Sequence, residues 1–331
     1  MSDGRCLLTG ASGFIGGHLA RRLARDGYEL RCLVRERSDT TRIPTNAELA
    51  TGDLTSPETL AHATAGCRFV IHCAALVSDW ATTKEITRVN VEGTRNLLAA
   101  AAADAHVERF VHVSSTDVYG HPGTPGTDER HEPARLSNWY SKTKALAERE
   151  VASSQLPTTI IRPATVYGPG SKDVIGEIAR AIRARHMLLI GAGRTDAGLV
   201  YVDNLVDATM LAISHDAAAG EAFNVSDGLD VSWRTLTEDL AQGLGVPPPR
   251  LSLPYPVAYG LGAAMEHGYR ALRTATRLST PPLLSRQAVQ VLGVAQSFSN
   301  EKARALLGWA PRVGYREGLE ATLDWLRNSF F

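Results

Sequence analysis

Three observations predict a doubly wound parallel α/β sheet with a smaller C-terminal lobe. Short apolar runs alternate with longer helical patterns through the first half of the chain. A turn carrying Gly10, Gly13 and Gly16 joins the first run to the first helix. After Arg162 the alternation gives way to longer irregular stretches with glycines and prolines. Strand–helix alternation implies parallel strands. Right-handed crossovers then gather the C-terminal strand ends on one rim, where ligands bind.

In chain order, Arg5–Thr9, Glu29–Val34, Glu48–Thr51, Phe69–Cys73, Phe110–Val113 and Thr158–Ile161 read as strands. Phe14–Arg25, Pro57–Ala65, Lys84–Ala103 and Trp139–Ser153 read as the helices between them. Farther on, Val174–Arg185, Asn204–Ser214, Trp233–Leu244, Val257–Arg273, Leu284–Leu292 and Tyr315–Asn328 read as helices. Met187–Ile190, Leu199–Val202 and Ala222–Val225 read as short strands, and Pro247–Pro249 is a stiff connector. There is no internal repeat. The expected division is a dinucleotide-binding Rossmann domain over residues 1–165 and a mainly substrate-binding lobe over 166–331, interleaved with the last sheet elements.

Composition narrows the function. With 331 residues, 44% hydrophobic and 21% charged, the chain is an ordinary globular one. Lys+Arg and Asp+Glu balance at 35 each, which argues against a nucleic-acid surface. No uninterrupted apolar run of about 18 residues predicts an integral membrane span. The N-terminus carries no apolar signal region, and the four cysteines (Cys6, Cys32, Cys67, Cys73) fit no zinc spacing. A reducing, cytoplasmic setting is therefore expected. The ten histidines show no paired ligand spacing, so no metal is expected.

The glycine turn is the first chemical signal. The first glycine permits a tight turn, the second lets backbone approach a pyrophosphate, and the third lets helix pack closely on strand. Helix N-terminal amides then favour the phosphates. Gly10, Ser12, Gly13, Phe14, Ile15 and Gly16 are assigned to the cofactor. At the end of the second strand an acidic residue suits NAD and an arginine suits a 2′-phosphate. Arg35 stands there, with Arg37 and Ser38 close by, so NADP(H) is expected, with NAD(H) as the alternative. Asp53 and Leu54 close the third strand, at the adenine. Cys73, Ala74 and Ala75 end the fourth, where small residues let backbone lie near the cofactor.

Tyr140 and Lys144 are four apart and share a face if their segment is helical. An unperturbed phenol titrates near ~10. A neighbouring ammonium is expected to lower that value. Lys144 is also placed to hold the nicotinamide ribose. Ser115, after the fifth strand, is the expected hydroxyl for the substrate oxygen, with Ser114 and Thr116 as rivals. Tyr140 then donates its proton during reduction or accepts one during oxidation.

These residues resemble the extended short-chain dehydrogenase/reductase superfamily. The resemblance runs over most of the chain, through the glycine turn, Gly52-Asp-Leu, His72-Cys-Ala-Ala, Val89-Asn-Val-Glu-Gly-Thr, Val113-Ser-Ser-Thr-Asp-Val-Tyr-Gly, Tyr140-Ser-Lys-Thr-Lys, Ile161-Arg-Pro-Ala-Thr-Val-Tyr-Gly-Pro-Gly and Val200-Tyr-Val-Asp. It implies that Ser115, Tyr140 and Lys144 are catalytic, that Pro163 and Val166 lie near the nicotinamide, and that Asn90 is supportive. Arg35 and the tail (Leu253-Pro-Tyr-Pro, Pro281-Pro-Leu-Leu-Ser, Phe298-Ser-Asn-Glu-Lys-Ala-Arg) resemble the 3β-hydroxysteroid dehydrogenase-like branch. The nucleotide-sugar epimerases commonly carry an acid after strand two, an asparagine after strand six and an arginine before Val-x-Val-Asp. This chain has Arg35, Arg162-Pro-Ala-Thr165 and Ala197-Gly-Leu199 instead.

The expected activity is an NADP(H)-dependent ketone reductase or secondary-alcohol dehydrogenase on a bulky apolar small molecule, steroid-, terpenoid- or polyketide-like. A nucleotide-sugar epimerase, dehydratase or 4-ketoreductase is the alternative. Val77, Trp80, Thr116, Trp139 and Tyr167 are candidate pocket walls. The helix Val257–Arg273 is expected to pack in the core rather than touch a membrane, because Glu266, His267, Arg270 and Arg273 interrupt it. The helix Trp139–Ser153 is a candidate for pairing with its twin in a homodimer.

Overall fold

The computed structural model describes residues 4–78, 81–132, 136, 138–275 and 284–331. Trp80 and the segment 281–283 of the tail motif lie outside the described residues. Seven strands form one sheet: β1 (Arg5–Thr9), β2 (Glu29–Val34), β3 (Glu48–Thr51), β4 (Phe69–His72), β5 (Arg109–Val113), β6 (Thr158–Pro163) and β10 (Ala222–Val225). Their order is β10-β6-β5-β4-β1-β2-β3, and every pairing is parallel. Two small pairs lie outside it, β7 (Thr165–Tyr167) with β9 (Leu199–Tyr201) and β8 (Leu189–Ile190) with β11 (Ser252–Leu253). β1 and β4 are adjacent although far apart in sequence. The crossovers on either side of them leave in opposite directions, so a crevice opens at their C-terminal ends.

Strand side chains alternate between two cores. Cys6, Leu8, Ile71, Val111 and Val113 pack under α1 (Phe14–Arg25) and α7 (Val202–Ser214). Leu7, Val70, Phe110 and Ile160 pack under α2 (Pro57–Thr64), α4 (Gly93–Ala102) and α5 (Trp139–Ala152). Burial on both faces explains why the sheet reads as continuous apolar runs rather than as alternation. All four cysteines are free thiols, three of them buried.

The expected single helix Lys84–Ala103 is in fact α3 (Thr83–Thr87), a π-turn over Arg88–Glu92, and α4. The wide turn sets Asn90 inward at 2% exposure, where an uninterrupted helix would give a different phase. The second lobe has its own core, where α6 (Glu177–Arg183), α8 (Trp233–Gly243) and α12 (Tyr315–Trp325) pack around Trp233, Leu236, Leu240 and Leu323. α9 (Tyr255–Ala275), α10 (Arg286–Gly293) and α11 (Glu301–Leu307) complete the chain. α9 departs from the expected core packing. It buries Ala258, Gly262 and Glu266, whereas Val257, Leu261 and Met265 stay 40–49% exposed. No described helix is long and apolar enough to cross a membrane.

Candidate active site

The glycine turn divides its labour. Gly10 sits at φ +76°, and a Cβ there would lie 2.7 Å from the Ala74 amide nitrogen. A Cβ on Gly16 would collide with the Gly10 carbonyl. Both glycines are therefore fixed by backbone packing. The variant G16A is expected to lose about 2–3 kcal/mol of stability, read by denaturant unfolding; a loss below about 0.5 kcal/mol would reject this account. Gly13 differs, because a Cβ would meet only the Gly10 carbonyl, at 3.2 Å. Gly13 caps α1 without a side-chain hydrogen bond, and the first turn holds no acid. The orphan amides at this helix start are left for an anion.

Gly10 and Gly13 line a cleft of about 270 Å³ with Thr9, Ser12, Leu33, Arg35, Ser38, Gly52, Asp53, Leu54, Cys73, Ala74, Ala75, Leu76 and Val89. Its shape and donors fit a dinucleotide: free amides at one end, apolar walls at Leu33 and Leu54, and a guanidinium at the rim. Thr9, Leu33, Leu76 and Val89 were missed in the sequence. Thr9 and Leu33 occupy strand ends on the rim, which was the available signal. Phe14, Ile15 and Gly16 do not line the cleft. Phe14 packs instead edge-on against His18, at 5.7 Å between ring centroids.

Arg35 and Ser38 close a turn, with the Ser38 amide donating to the Arg35 carbonyl (2.9 Å) and the Arg35 amide to Ser38 Oγ (3.0 Å). The turn brings Ser38 to the cleft, while Arg37 stays exposed outside its lining. Burial pushes the Asp53 carboxyl up. Hydrogen bonds from the Thr55 amide and hydroxyl (both 2.8 Å), with the fields of Arg35 and Arg88, outweigh it and hold the group below its ordinary value.

The floor of the crevice is a chain of buried polar contacts. Thr94 Oγ1 donates to the Asn90 carbonyl (2.7 Å), so it must accept from His72 Nε2 (2.9 Å). His72 Nδ1 then accepts from Thr9 Oγ1 (2.8 Å), which itself accepts the Ala74 amide (3.2 Å). Burial, with Lys144 nearby, pushes the imidazole down to about 3 and keeps it neutral. Asn90 accepts from the Leu76 amide (2.7 Å) and donates to the Leu76 carbonyl (3.1 Å) and to Thr143 Oγ1 (3.1 Å). It thereby ties the loop after β4 to α5.

The side chain of Asn138 caps α5 by accepting the Ser141 amide (2.7 Å), which puts Tyr140 in the first turn. The Tyr140 phenol is hydrogen-bonded to the Ser115 hydroxyl. Ser115 also accepts the Asp117 amide at 3.1 Å. Ser114 and Thr116 are 4% and 5% exposed, so Ser115 is the accessible hydroxyl of the three. Lys144, one turn below Tyr140 and buried, donates through Nζ to the Val113 carbonyl (2.8 Å). Farther down α5, Glu148 accepts Arg162 in a bidentate pair (3.0 and 2.7 Å), and Arg162 also donates to Tyr119 Oη (2.7 Å), fixing the helix to β6.

The electrostatics correct one expectation. The Tyr140 phenol stands above its ordinary value, not below it. Burial is the first cause and the Asp117 carboxylate the second, and the Ser115 hydrogen bond offsets only part. Burial also pushes the Lys144 ammonium down to about 8, against the fields of Cys73, Glu148 and Asp117. The protein alone thus keeps the phenol protonated, because desolvation of a phenolate outweighs its neighbours.

Among the candidate walls, Val77 is 64% and Trp139 41% exposed, and Lys142 Nζ sits 4.6 Å over the Trp139 ring. Tyr167 is a correction. It is fully buried in the second core, edge-on to Tyr201 at 5.3 Å, and cannot line a pocket. Pairing of β7 with β9 points it away from the crevice into the lobe. Thr116 is likewise buried. Pro163 ends β6 opposite Val225, and the partly buried Val166 packs against both cores; neither lines the cleft.

A parallel sheet with a glycine-turn cleft at its switch point, and a tyrosine, lysine and serine on the same rim, define a nicotinamide-dependent oxidoreductase of the Rossmann class. The model of the NAD dependent epimerase/dehydratase family matches residues 6–226, and the chain belongs to that family, in the 3β-hydroxysteroid dehydrogenase-like branch of the extended short-chain dehydrogenases/reductases. It is 33% identical over 324 residues (96% of this chain, 95% of the relative) to the 4-hydroxy-2-methyl-3-oxo-4-farnesyl-3,4-dihydroquinoline-1-oxide ketoreductase of Stigmatella aurantiaca. It is 29% identical over 349 residues (99% and 92%) to the 3-beta-hydroxysteroid dehydrogenase of Mycolicibacterium neoaurum. The solved structure of MoeE5 with UDP-glucose and NAD superposes with a TM-score of 0.77 at 28% identity, covering 99% of this chain and 100% of that one.

Proposed function

We propose that this protein is an NADP(H)-dependent ketone reductase on a bulky, largely apolar substrate, with Tyr140 as general acid, Ser115 as the hydroxyl that holds the carbonyl oxygen, and Lys144 as the cation beneath both. The observation that carries it is the protonated Tyr140 phenol, hydrogen-bonded to Ser115 and close enough to Cys73 of the cleft to feel its field. When bound, the cofactor supplies a hydride to the carbonyl carbon. Tyr140 gives its proton to the oxygen as charge develops there, and Ser115 donates a hydrogen bond to that oxygen. Lys144 stabilises the phenolate left behind. A phenol held protonated by burial is the form that reduction requires. The cleft and its rim belong to the sheet domain, and residues 166–331 mainly supply the substrate lobe. Arg35 and Ser38 at the rim suit a 2′-phosphate, which favours NADP(H).

Two features weigh toward a ketone rather than a nucleotide sugar. A Cβ on Gly198 would collide with the Gln296 carbonyl, so Ala197-Gly-Leu199 is packed against the C-terminal segment and carries no arginine for a diphosphate. Arg162 is spent on Glu148 and Tyr119. The named relatives include one acting on a farnesylated oxo compound and one on a hydroxysteroid. The test is loss of NADPH absorbance with a panel of bulky ketones. Turnover is expected on members of the panel; none there, with turnover on a UDP-sugar, would reverse the reading.

The pH dependence has a fixed sign. Lys144 loses its proton as pH rises through about 8. With NADPH saturating, kcat/KM for ketone reduction is expected to fall across that value and to be sustained below it. A profile that climbs through the same region would remove Lys144 from this role.

A further inference from the structure

One surface of the second lobe departs from the rest of the molecule. Among the described residues twelve large apolar side chains are exposed, and five of them fall between Leu251 and Leu272. Leu251, just ahead of β11, is 66% exposed. Val257, Leu261, Met265 and Leu272 are 40–53% exposed along α9. Spaced four, four and seven residues apart, these last four share one side of the helix. Gly260, Ala264 and Gly268 are exposed beside them. A Cβ on Gly260 or Gly268 would meet no described atom within 4 Å, so no described residue covers that side. Single exposed apolar residues are ordinary, but a continuous stripe marks a surface that meets something.

The opposite side of α9 is occupied. α10 runs back along it. A Cβ on Gly293 would strike the Tyr255 ring, and one on Gly262 would meet Ser285 and the Arg286 amide nitrogen. Ala258 packs with Ile190 and Val289. Glu266, 7% exposed, accepts the Arg286 amide (2.7 Å) and guanidinium (2.8 Å). These contacts fix the helix with its stripe turned outward.

Charge says what the stripe meets. The chain as a whole is balanced, with 35 basic and 35 acidic residues. Between Asp239 and Glu301 it carries five arginines (Arg250, Arg270, Arg273, Arg277 and Arg286) and one acid, Glu266, a local balance of 5 − 1 = +4. That acid is already paired with Arg286. An apolar stripe within a positively charged segment complements a surface with negative headgroups over hydrocarbon. A second copy of the chain fits less well. It would set two positive segments against each other, and a stable interface takes about 20–30 residues a side.

We infer that the exposed face of α9 docks on an anionic lipid bilayer. Val257, Leu261, Met265 and Leu272 enter the acyl boundary, and the net positive charge of the segment draws it to the phosphate headgroups. The helix lies on the membrane and does not cross it. This goes beyond the reductase reading and does not rest on it. A bilayer is also where a bulky apolar ketone concentrates.

The test is cosedimentation of the full-length protein with vesicles of phosphatidylcholine, alone or with about 30% phosphatidylglycerol. Partition onto the anionic vesicles should exceed that onto the neutral ones by about tenfold or more, and molar salt should erase most of the difference. L261E/M265E should lower binding to the anionic vesicles by at least about tenfold, because two carboxylates must then enter the boundary. Both residues are exposed and lie outside the proposed catalytic and cofactor sites, so NADPH affinity, read by fluorescence, should match the wild type. L261S/M265S is read in the same way should the glutamates disturb the fold. R270Q/R273Q should bring the anionic and neutral values together. Failure to sediment with anionic vesicles, equal binding to both kinds, or binding that L261E/M265E leaves unchanged overturns the inference. So does a lipid-free dimer in analytical ultracentrifugation that L261E/M265E dissolves, which would assign the face to a second copy.

Discussion

Replacing Tyr140 with phenylalanine is expected to lower kcat for ketone reduction by about 10²–10⁴-fold, the usual worth of a positioned acid. The reason lies in the site rather than in the residue type. The phenol is protonated because burial and Asp117 oppose its ionisation. It is joined to Ser115, and its backbone carbonyl accepts Thr143 Oγ1 (3.0 Å), which in turn accepts from Asn90. Phenylalanine keeps the ring and this backbone frame but supplies no proton to the oxygen. Ser115 then loses a partner, while the helix stays capped by Asn138. NADPH binding, followed by fluorescence, should therefore change little. An unaltered kcat in Y140F would remove Tyr140 from the reaction, and the protein would be a cofactor binder with its acid elsewhere.

The second large effect concerns Arg35. R35D is expected to weaken NADPH binding by about 10–100-fold, the range for losing charge-assisted hydrogen bonds to one phosphate. NADH binding should change far less, since the aspartate supplies an acceptor for a ribose 2′-hydroxyl. Arg35 and Ser38 share one short turn at the cleft, and Asp53 lies across from them. An aspartate at 35 would set two carboxylates at the rim, and the pair would repel a 2′-phosphate. Fluorescence titration of both cofactors against both proteins decides the matter. Equal wild-type affinity for NADH and NADPH would sink the claim.

Particular residues show where sequence reasoning carried and where it stopped. β1 to β3 and α1 begin and end where the sequence placed them, because strands buried on both faces leave uninterrupted apolar runs and glycines mark the turn between. Tyr167 reads as a rim residue from its place after β6, yet it turns into the lobe core, because pairing with β9 fixes its face and that partner lies 34 residues on. Arg37 and Ser38 look alike in the sequence, and only the turn's own hydrogen bonds bring Ser38 to the cleft lining. The helix Val257–Arg273 reads as core, but Val257, Leu261 and Met265 stay exposed, because the neighbours of α9 cover its other face.

The pattern of apolar runs, the three glycines and the Tyr140–Lys144 spacing settle by themselves the parallel sheet, the tight turn between β1 and α1, and a tyrosine and lysine on one helix face. Those features are local, set by backbone sterics and helical period. Whether the phenol holds its proton depends on burial and on Asp117, and whether the lysine stays charged depends on Val113, Cys73 and Glu148. Protonation follows from how much water the assembled fold removes and which charges it leaves nearby. Only the tertiary structure decided that.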